Sequence, residues 1–334
     1  MPNLRHSLFW GPSGSGKTAA IIEMILDYLA QNPNGIARVY VGDGSKSSYL
    51  DTGLVDSGRI QLFDYSSRDW PLSTMQDICE GKFPKDPNDP KSPMLAPTPD
   101  ELKRIGFWVY EGLATGSQYI MGDKKGGLSE QSARGIKVGQ DSPIKITDAE
   151  LDSKGNYMAG SGTGYVFGGN PMAHYNFAQR RVLGWLERTK TLPGWVIWTT
   201  HERTSEDTST TGEKLIGPEA AGKALTAGLP KYFSETLHFT IALGQKKQID
   251  KVTEKNVSIS KAEYRLYTRE HFDPDGMTPL VYKAVNRCMI PSMMPDYLVG
   301  ENPGDNIRKF YAIMKEAASI KVKKILDTTQ LGVV

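Results

Sequence analysis

Residues 11–18 read Gly-Pro-Ser-Gly-Ser-Gly-Lys-Thr, between the run Ser7-Leu8-Phe9-Trp10 and a helix-competent stretch from Thr18 to Leu29. A strand, then GxxxxGK[ST], then a helix is the context in which this motif cradles phosphate. Gly11, Gly14 and Gly16 let the backbone wrap closely around a polyphosphate with successive N–H groups turned inward. The helix start adds the positive end of its dipole. The nucleotide-contacting set is therefore Gly11, Pro12, Ser13, Gly14, Ser15, Gly16, Lys17, Thr18 and Ala19. Lys17 reaches the outer phosphates as a catalytic cation, and the Thr18 hydroxyl is a Mg²⁺ ligand. The ligands expected are ATP and Mg²⁺.

Such a loop needs an acid at the end of a neighbouring strand to hold the metal, directly or through water. Glu111 closes the run Phe107-Trp108-Val109-Tyr110 and fits this Walker B role, catalytic and metal-binding, although Asp is the usual residue there. Hydrolysis also requires a carboxylate that orients water for in-line attack. Two residues compete for it. Asp43 ends the second strand within Gly42-Asp43-Gly44, where an ordinary Asp-Gly turn is the alternative reading; Glu202 ends Thr200-His201-Glu202, where Thr200 or His201 would sense the γ-phosphate. His174, His238 and His271 show no ligand spacing and read as satisfied or exposed histidines.

Positioning these residues falls to an alternation of strands and helices. A strand at 4–10 leads into a helix at 17–31, whose Ile21, Ile22, Met24, Ile25, Tyr28 and Leu29 form one apolar face. Asn32-Pro33-Asn34-Gly35 stops it, and strands follow at 38–41 and 60–63 with a short helix between. This βαβ alternation predicts an α/β fold with a mostly parallel sheet flanked by helices. The six prolines from 84 to 99 predict an extended loop without regular structure. Residues 122–170 are Gly-rich and polar and read as an insertion; 171–190 is amphipathic and helical; 195–200 is a strand. Residues 203–214 read as mobile. Strands are expected at 236–243, 264–269 and 280–285, the last two joined as a C-terminal β-hairpin across Asp273-Pro274-Asp275-Gly276. A helix at about 304–327 ends basic, with Lys321, Lys323 and Lys324. The expected division is a P-loop ATPase domain over 1–290, carrying the Pro-rich loop 84–100 and the insertion 122–170, and a helical extension over 291–334.

Composition sets the outer limits. With 40 Lys and Arg against 38 Asp and Glu, the net charge of +2 leaves any DNA contact to a local patch. Lys124, Lys125, Arg134 and Lys137, with Tyr119 nearby for base stacking, are the candidates for sequence-independent binding of single-stranded DNA. No apolar run reaches the roughly 18–20 residues of a membrane span, and no signal-peptide core precedes the first strand. Two cysteines, Cys79 and Cys288, suggest neither a disulfide framework nor a Cys-rich metal site, so no membrane and a cytoplasmic location are expected.

The chain resembles the RecA-like nucleotide-binding ATPases encoded by bacteriophages, the group related to phage single-strand-annealing ATPases. The resemblance rests on GPSGSGKT, on Phe107–Glu111 with Gly112-Leu113-Ala114-Thr115, and on the helix from Gln179-Arg180-Arg181 to Leu192-Pro193. It continues through Thr200-His201-Glu202 and Gly217-Pro218-Glu219-Ala220-Ala221-Gly222-Lys223-Ala224-Leu225, then Leu229-Pro230-Lys231-Tyr232-Phe233, covering about residues 4–290. It implies an additional-strand P-loop fold with the strand 195–200 between the P-loop and Walker B strands. It also implies a homo-oligomer with nucleotide between subunits, a neighbour's Lys223 or Arg203 reaching the phosphates, and the host cytoplasm as location. Glu at 111, the insertion and the C-terminal extension depart from the pattern. A virion-assembly or DNA-packaging role, virion-associated, is the alternative, although the C-terminal 40 residues hold no nuclease-like acidic cluster. A small-molecule kinase would need an arginine-rich lid where 203–214 holds only Arg203, and no Asn-Lys-x-Asp or Thr-Lys-x-Asp tetrad supports a GTPase.

Overall fold

The computed structural model describes residues 5–67, 69–121, 127, 171–208, 214–221, 223–249, 256–272, 280–282 and 284–331. In chain order the elements are β1 (Arg5–Trp10), α1 (Lys17–Gln31), β2 (Ile36–Val41), α2 (Lys46–Leu50), β3 (Ile60–Asp64) and α3 (Ser73–Cys79). There follow β4 (Phe83–Pro84), β5 (Met94–Leu95), α4 (Pro99–Arg104), β6 (Ile105–Glu111), α5 (Leu113–Met121), α6 (Pro171–Thr189) and β7 (Trp195–Thr200). The remainder is β8 (Glu202–Thr208), β9 (Lys214–Pro218), α7 (Lys223–Gly228), β10 (Glu235–Ile249), β11 (Asn256–Tyr267), β12 (His271–Phe272), β13 (Leu280–Tyr282), β14 (Tyr297–Gly300) and α8 (Pro303–Leu331). The architecture is α/β, with a large, mostly parallel eight-stranded sheet flanked by helices. Among the described residues no helix is long and apolar enough to cross a membrane.

Two compact units divide the chain. The first is built from Asn34–Trp198 and Glu219–Leu229, the second from Arg5–Pro33, Thr199–Pro218 and Pro230–Val334.

In the first unit β7, β6, β2 and β3 lie side by side in that order, all parallel. Every residue of β2 and β6 is buried, as parallel strands covered on both faces require. Register places Tyr40 opposite Tyr110 and Tyr110 opposite Trp198, and their rings stack at 5.1 and 4.5 Å. Each polar tip has a partner: Tyr40 donates to the Lys82 carbonyl, Tyr110 to the Ile78 carbonyl and Trp198 to Thr189 Oγ1. This ladder fixes the ends of β2 and β6, where Asp43 and Glu111 stand. The Pro-rich segment is more ordered than expected. Residues 83–84 pair with 94–95, and Pro99 takes the first position of α4 beneath a Thr98–Glu101 capping box. Proline excludes a helix interior but suits its first turn, where its missing N–H costs nothing.

In the second unit the order is β14, β11, β10, β1, with β1 and β10 parallel and the outer pairs antiparallel. The expected hairpin of 264–269 with 280–285 is not formed. Residues 256–267 pair instead with 235–249, while 280–282 pair with 271–272 and 214–216. The turn signal at 273–276 does separate two paired strands, but the longer ladder goes to β10. Registry over twelve residue pairs outweighs a local turn preference. Of residues 203–214, expected to be mobile, 203–208 lie in β8 and 214 opens β9, and these two strands pair antiparallel, while 209–213 lie outside the described residues. Helix α8 packs along α1, and the Arg308 guanidinium forks onto Asp27 at 2.7 Å and Glu23 at 2.6 Å. The insertion 122–170 lies outside the described residues apart from Gly127, and so do Lys124, Lys125, Arg134 and Lys137.

Candidate nucleotide site

Strand β1 delivers the glycine loop from a fully buried base, Leu8, Phe9 and Trp10. Gly11 adopts φ 145° against β10, where a Cβ would stand 2.1 Å from the Phe239 carbonyl oxygen. Only glycine allows both that torsion and that approach. Gly16 caps α1 in the left-handed region at φ 93°, and the Ser15 N–H turns back onto the Pro12 carbonyl at 3.3 Å. The first turn of α1 carries no acidic residue, so no carboxylate of its own offsets the positive end of the helix dipole. Ser13, Gly14 and Ala19 are exposed, and Thr18 is half-buried at the mouth of the loop.

Lys17 does not extend from this loop. Its ammonium lies inside, 8% exposed, donating to the Gly11 and Pro12 carbonyls at 2.9 Å each, with Ser15 Oγ at 3.5 Å. The loop therefore holds a positive charge at its own centre, where a polyphosphate can exchange anionic oxygens for neutral carbonyls as the lysine's partners.

Register places His238 opposite Trp10, and the two rings stack at 3.9 Å. His238 is fully buried, its Nε2 3.4 Å from Glu202 Oε2 and its Nδ1 3.4 Å from His271 Nε2. His238 is a satisfied histidine, as expected, but its partners come from strands remote in sequence: β8 and β12 bring Glu202 and His271 to it on β10. The available signal was slight: Thr236, His238 and Thr240 alternating with apolar residues along 236–243. Burial holds the His238 imidazole below its ordinary range; the adjacent Glu202 carboxylate pulls the other way, and the Lys17 charge adds to the depression. Thr199 and Thr200, at the end of β7, are buried.

The first unit gathers the other acids. Glu111 is 1% exposed, and its Oε1 accepts the Tyr49 hydroxyl at 2.6 Å. Its backbone carbonyl accepts Tyr65 Oη at 3.1 Å and the Gly42 N–H at 3.2 Å. Burial, then the Glu111 charge, pushes the Tyr49 hydroxyl far up, so it stays a donor. Asp43 is exposed, accepts the Ser45 N–H at 3.3 Å and lies against Gly112. That is the geometry of the Asp turn read as its alternative. Lys223 opens α7, with its side chain outside the described residues, and Arg203 is exposed. The Tyr119 hydroxyl, expected near a DNA-binding patch, is bound to the Gly42 and Ser66 carbonyls at 3.1 and 3.3 Å, which anchors it in the unit.

Among the described residues no three His, Cys, Asp or Glu side chains gather into a metal centre. In the second unit Thr18 offers a hydroxyl at the start of α1, and in the first Glu111 offers a buried carboxylate at the end of β6. Glu111→Gln preserves the acceptor for Tyr49 but removes that charge. It is expected to lower Mg²⁺-dependent turnover about 10²-fold, while melting temperature moves little. Parallel loss of stability and activity would mark Glu111 as purely structural.

Comparison with protein-family models and with curated protein sequences finds no match.

Proposed function

We propose that this chain is a Mg²⁺-dependent RecA-like ATPase that couples hydrolysis to DNA transactions such as recombination, annealing, replication or repair. The observation that carries the reading is the buried Lys17 ammonium, held by the Gly11 and Pro12 carbonyls inside a glycine loop at the start of a 15-residue helix. Nothing in a merely structural turn requires a cation enclosed in this way. The backbone from Gly11 to Ala19 binds the phosphates, and Lys17 moves onto the β- and γ-oxygens. Mg²⁺ neutralises charge on the transferred group; Thr18 and Glu111 are the residues suited to hold it. A carboxylate, Glu202 or Asp43, orients the water.

The active form is a homo-oligomer in which Lys223 of one subunit serves the nucleotide of another. Turnover per subunit should then rise with protein concentration. Lys223→Ala should slow turnover while ATP affinity stays within about threefold, because its contact strengthens as charge builds in the transition state. Mixing Lys17→Ala with Lys223→Ala subunits should restore part of the activity, and concentration-independent turnover without recovery would establish a monomeric active unit. The function is tested by ATP turnover with and without single-stranded DNA. Stimulation supports the DNA-coupled reading, whereas turnover indifferent to DNA directs it to virion assembly or packaging, and no turnover removes the ATPase.

A further inference from the structure

We propose that the C-terminal helix α8 is part of the nucleotide site: through Pro303 it braces the glycine loop at Gly16, and a bound nucleotide tightens its docking in return. Pro303 and Arg308 are then positioning residues that act on the phosphates through Gly16. The inference rests on the nucleotide-binding reading of the loop and adds a regulatory segment to it.

Every group in the argument belongs to the second unit. Gly16 takes φ 93° and joins the loop to α1, so its torsions set how the last N–H groups of the loop are turned. Glycine is the residue with the most backbone freedom to lose, and freedom left in an empty loop is entropy given up when phosphate binds. The structure restricts that freedom from outside. The Pro303 ring fills the space a Gly16 side chain would need. A Cβ on Gly16 would collide with Pro303 Cγ and stand 2.8 Å from Pro303 Cβ, with Tyr264 Cδ1 at 3.4 Å. The loop is thus gripped at both ends, by the Phe239 carbonyl at Gly11 and by the start of α8 at Gly16.

Pro303 is itself held in place. Its ring presets the torsion needed at the first position of a helix. Asn302, just before it, exchanges hydrogen bonds with Asp305: Oδ1 accepts the Asp305 N–H at 2.9 Å, and Nδ2 donates to Asp305 Oδ2 at 2.7 Å. Asn306, 1% exposed, donates to the Tyr264 carbonyl at 2.8 Å, which ties the first turn of α8 to β11. Farther on, Gly304 lies so close to α1 that a Cβ would stand 2.5 Å from Glu23 Cγ. The Arg308 fork onto Glu23 and Asp27 then fixes orientation as well as distance. Gly16, Glu23 and Asp27 are spaced by seven and four residues, so they share one side of α1. Helix α8 follows that side from the loop onward. Its residues 319–323 are exposed, and residue 321 lies about 27 Å along the axis from Pro303, so the helix joins the loop to a distant surface. Linkage makes the effect reciprocal: whatever docking adds to nucleotide affinity, nucleotide adds to docking.

The probe is a non-hydrolysable ATP analogue with Mg²⁺, its affinity measured by calorimetry on the full chain beside thermal unfolding and backbone hydrogen exchange. Pro303→Ala keeps a residue that suits a helix start and removes the ring from Gly16. It should weaken analogue binding about fivefold or more, the low end of ordinary coupling between sites. Arg308→Ala should weaken binding in the same direction, and Arg308→Lys should restore part of the loss. In the wild type, saturating analogue should slow exchange along residues 304–318 more than along α3 in the first unit. Pro303→Ala saturated with excess analogue should lose that response. A role in folding alone would lower the melting temperature of these variants and leave analogue affinity unchanged, and that result overturns the proposal. So does wild-type exchange along α8 that is indifferent to analogue. If Pro303→Ala fails to fold, Arg308→Ala and the wild-type exchange still decide. Absence of analogue binding to the wild type overturns the nucleotide reading and the proposal with it, whereas binding without a response in α8 removes the brace alone.

Discussion

Lys17→Ala is expected to reduce ATP turnover by about 10³-fold or more, at the upper end of what one preorganised donor contributes. The lysine is the only side-chain charge the glycine loop encloses among its described residues, and the charge sits at its centre. The same geometry sets the cost to folding. Truncation leaves the Gly11 carbonyl and the part-buried Pro12 carbonyl without a charged donor, about 1–2 kcal/mol for bonds of this kind. The variant should therefore fold, with a modestly lower melting temperature, and fail in turnover. Parallel measurement of thermal unfolding and phosphate release checks both. Turnover at the parental rate would remove the phosphate-loop assignment.

Gly11→Ala is expected to be the most damaging single methyl group in the loop. Its Cβ would fall 2.1 Å from the Phe239 carbonyl oxygen, a backbone atom within the paired part of β10 that cannot rotate aside. Left-handed strain adds to the clash, and the sum should exceed about 3 kcal/mol. Gly14→Ala is the control. Gly14 has φ 77° but open space where its Cβ would go, so torsional strain alone should cost about 1–2 kcal/mol. Denaturant unfolding of the two variants separates the effects. Equal destabilisation would mean that the closeness of the loop to β10 does not constrain residue 11.

The contrast between those glycines shows where reading by sequence stops. Both were legible as loop glycines, because φ > 0 and close backbone approach select one residue type. That one of them is pinned by Phe239 was not legible, since 228 residues separate them and no local pattern records the contact. The strand pairings divide in the same way. Residues 38–41, 60–63 and 107–111 were legible as strands from short, largely apolar runs, and they lie in the parallel strands β2, β3 and β6. The partner of 256–267 was misassigned because a local turn signal at 273–276 competed with a ladder whose register extends over the whole strand.

By itself the sequence determined a glycine loop between a strand and a helix, with its lysine and threonine, an α/β alternation with a mostly parallel sheet, and Glu111 as a strand-end acid. Those features depend on short-range rules: glycine torsions, helix starts and side-chain period. Only the tertiary structure decided that Lys17 is folded into its own loop, that Glu111 is buried under Tyr49, and that Asp43 caps a turn. It alone also brought Glu202, His238 and His271 together. Their proximity depends on β8, β10 and β12 meeting in space, and no spacing along the chain encodes a meeting set by sheet register and burial.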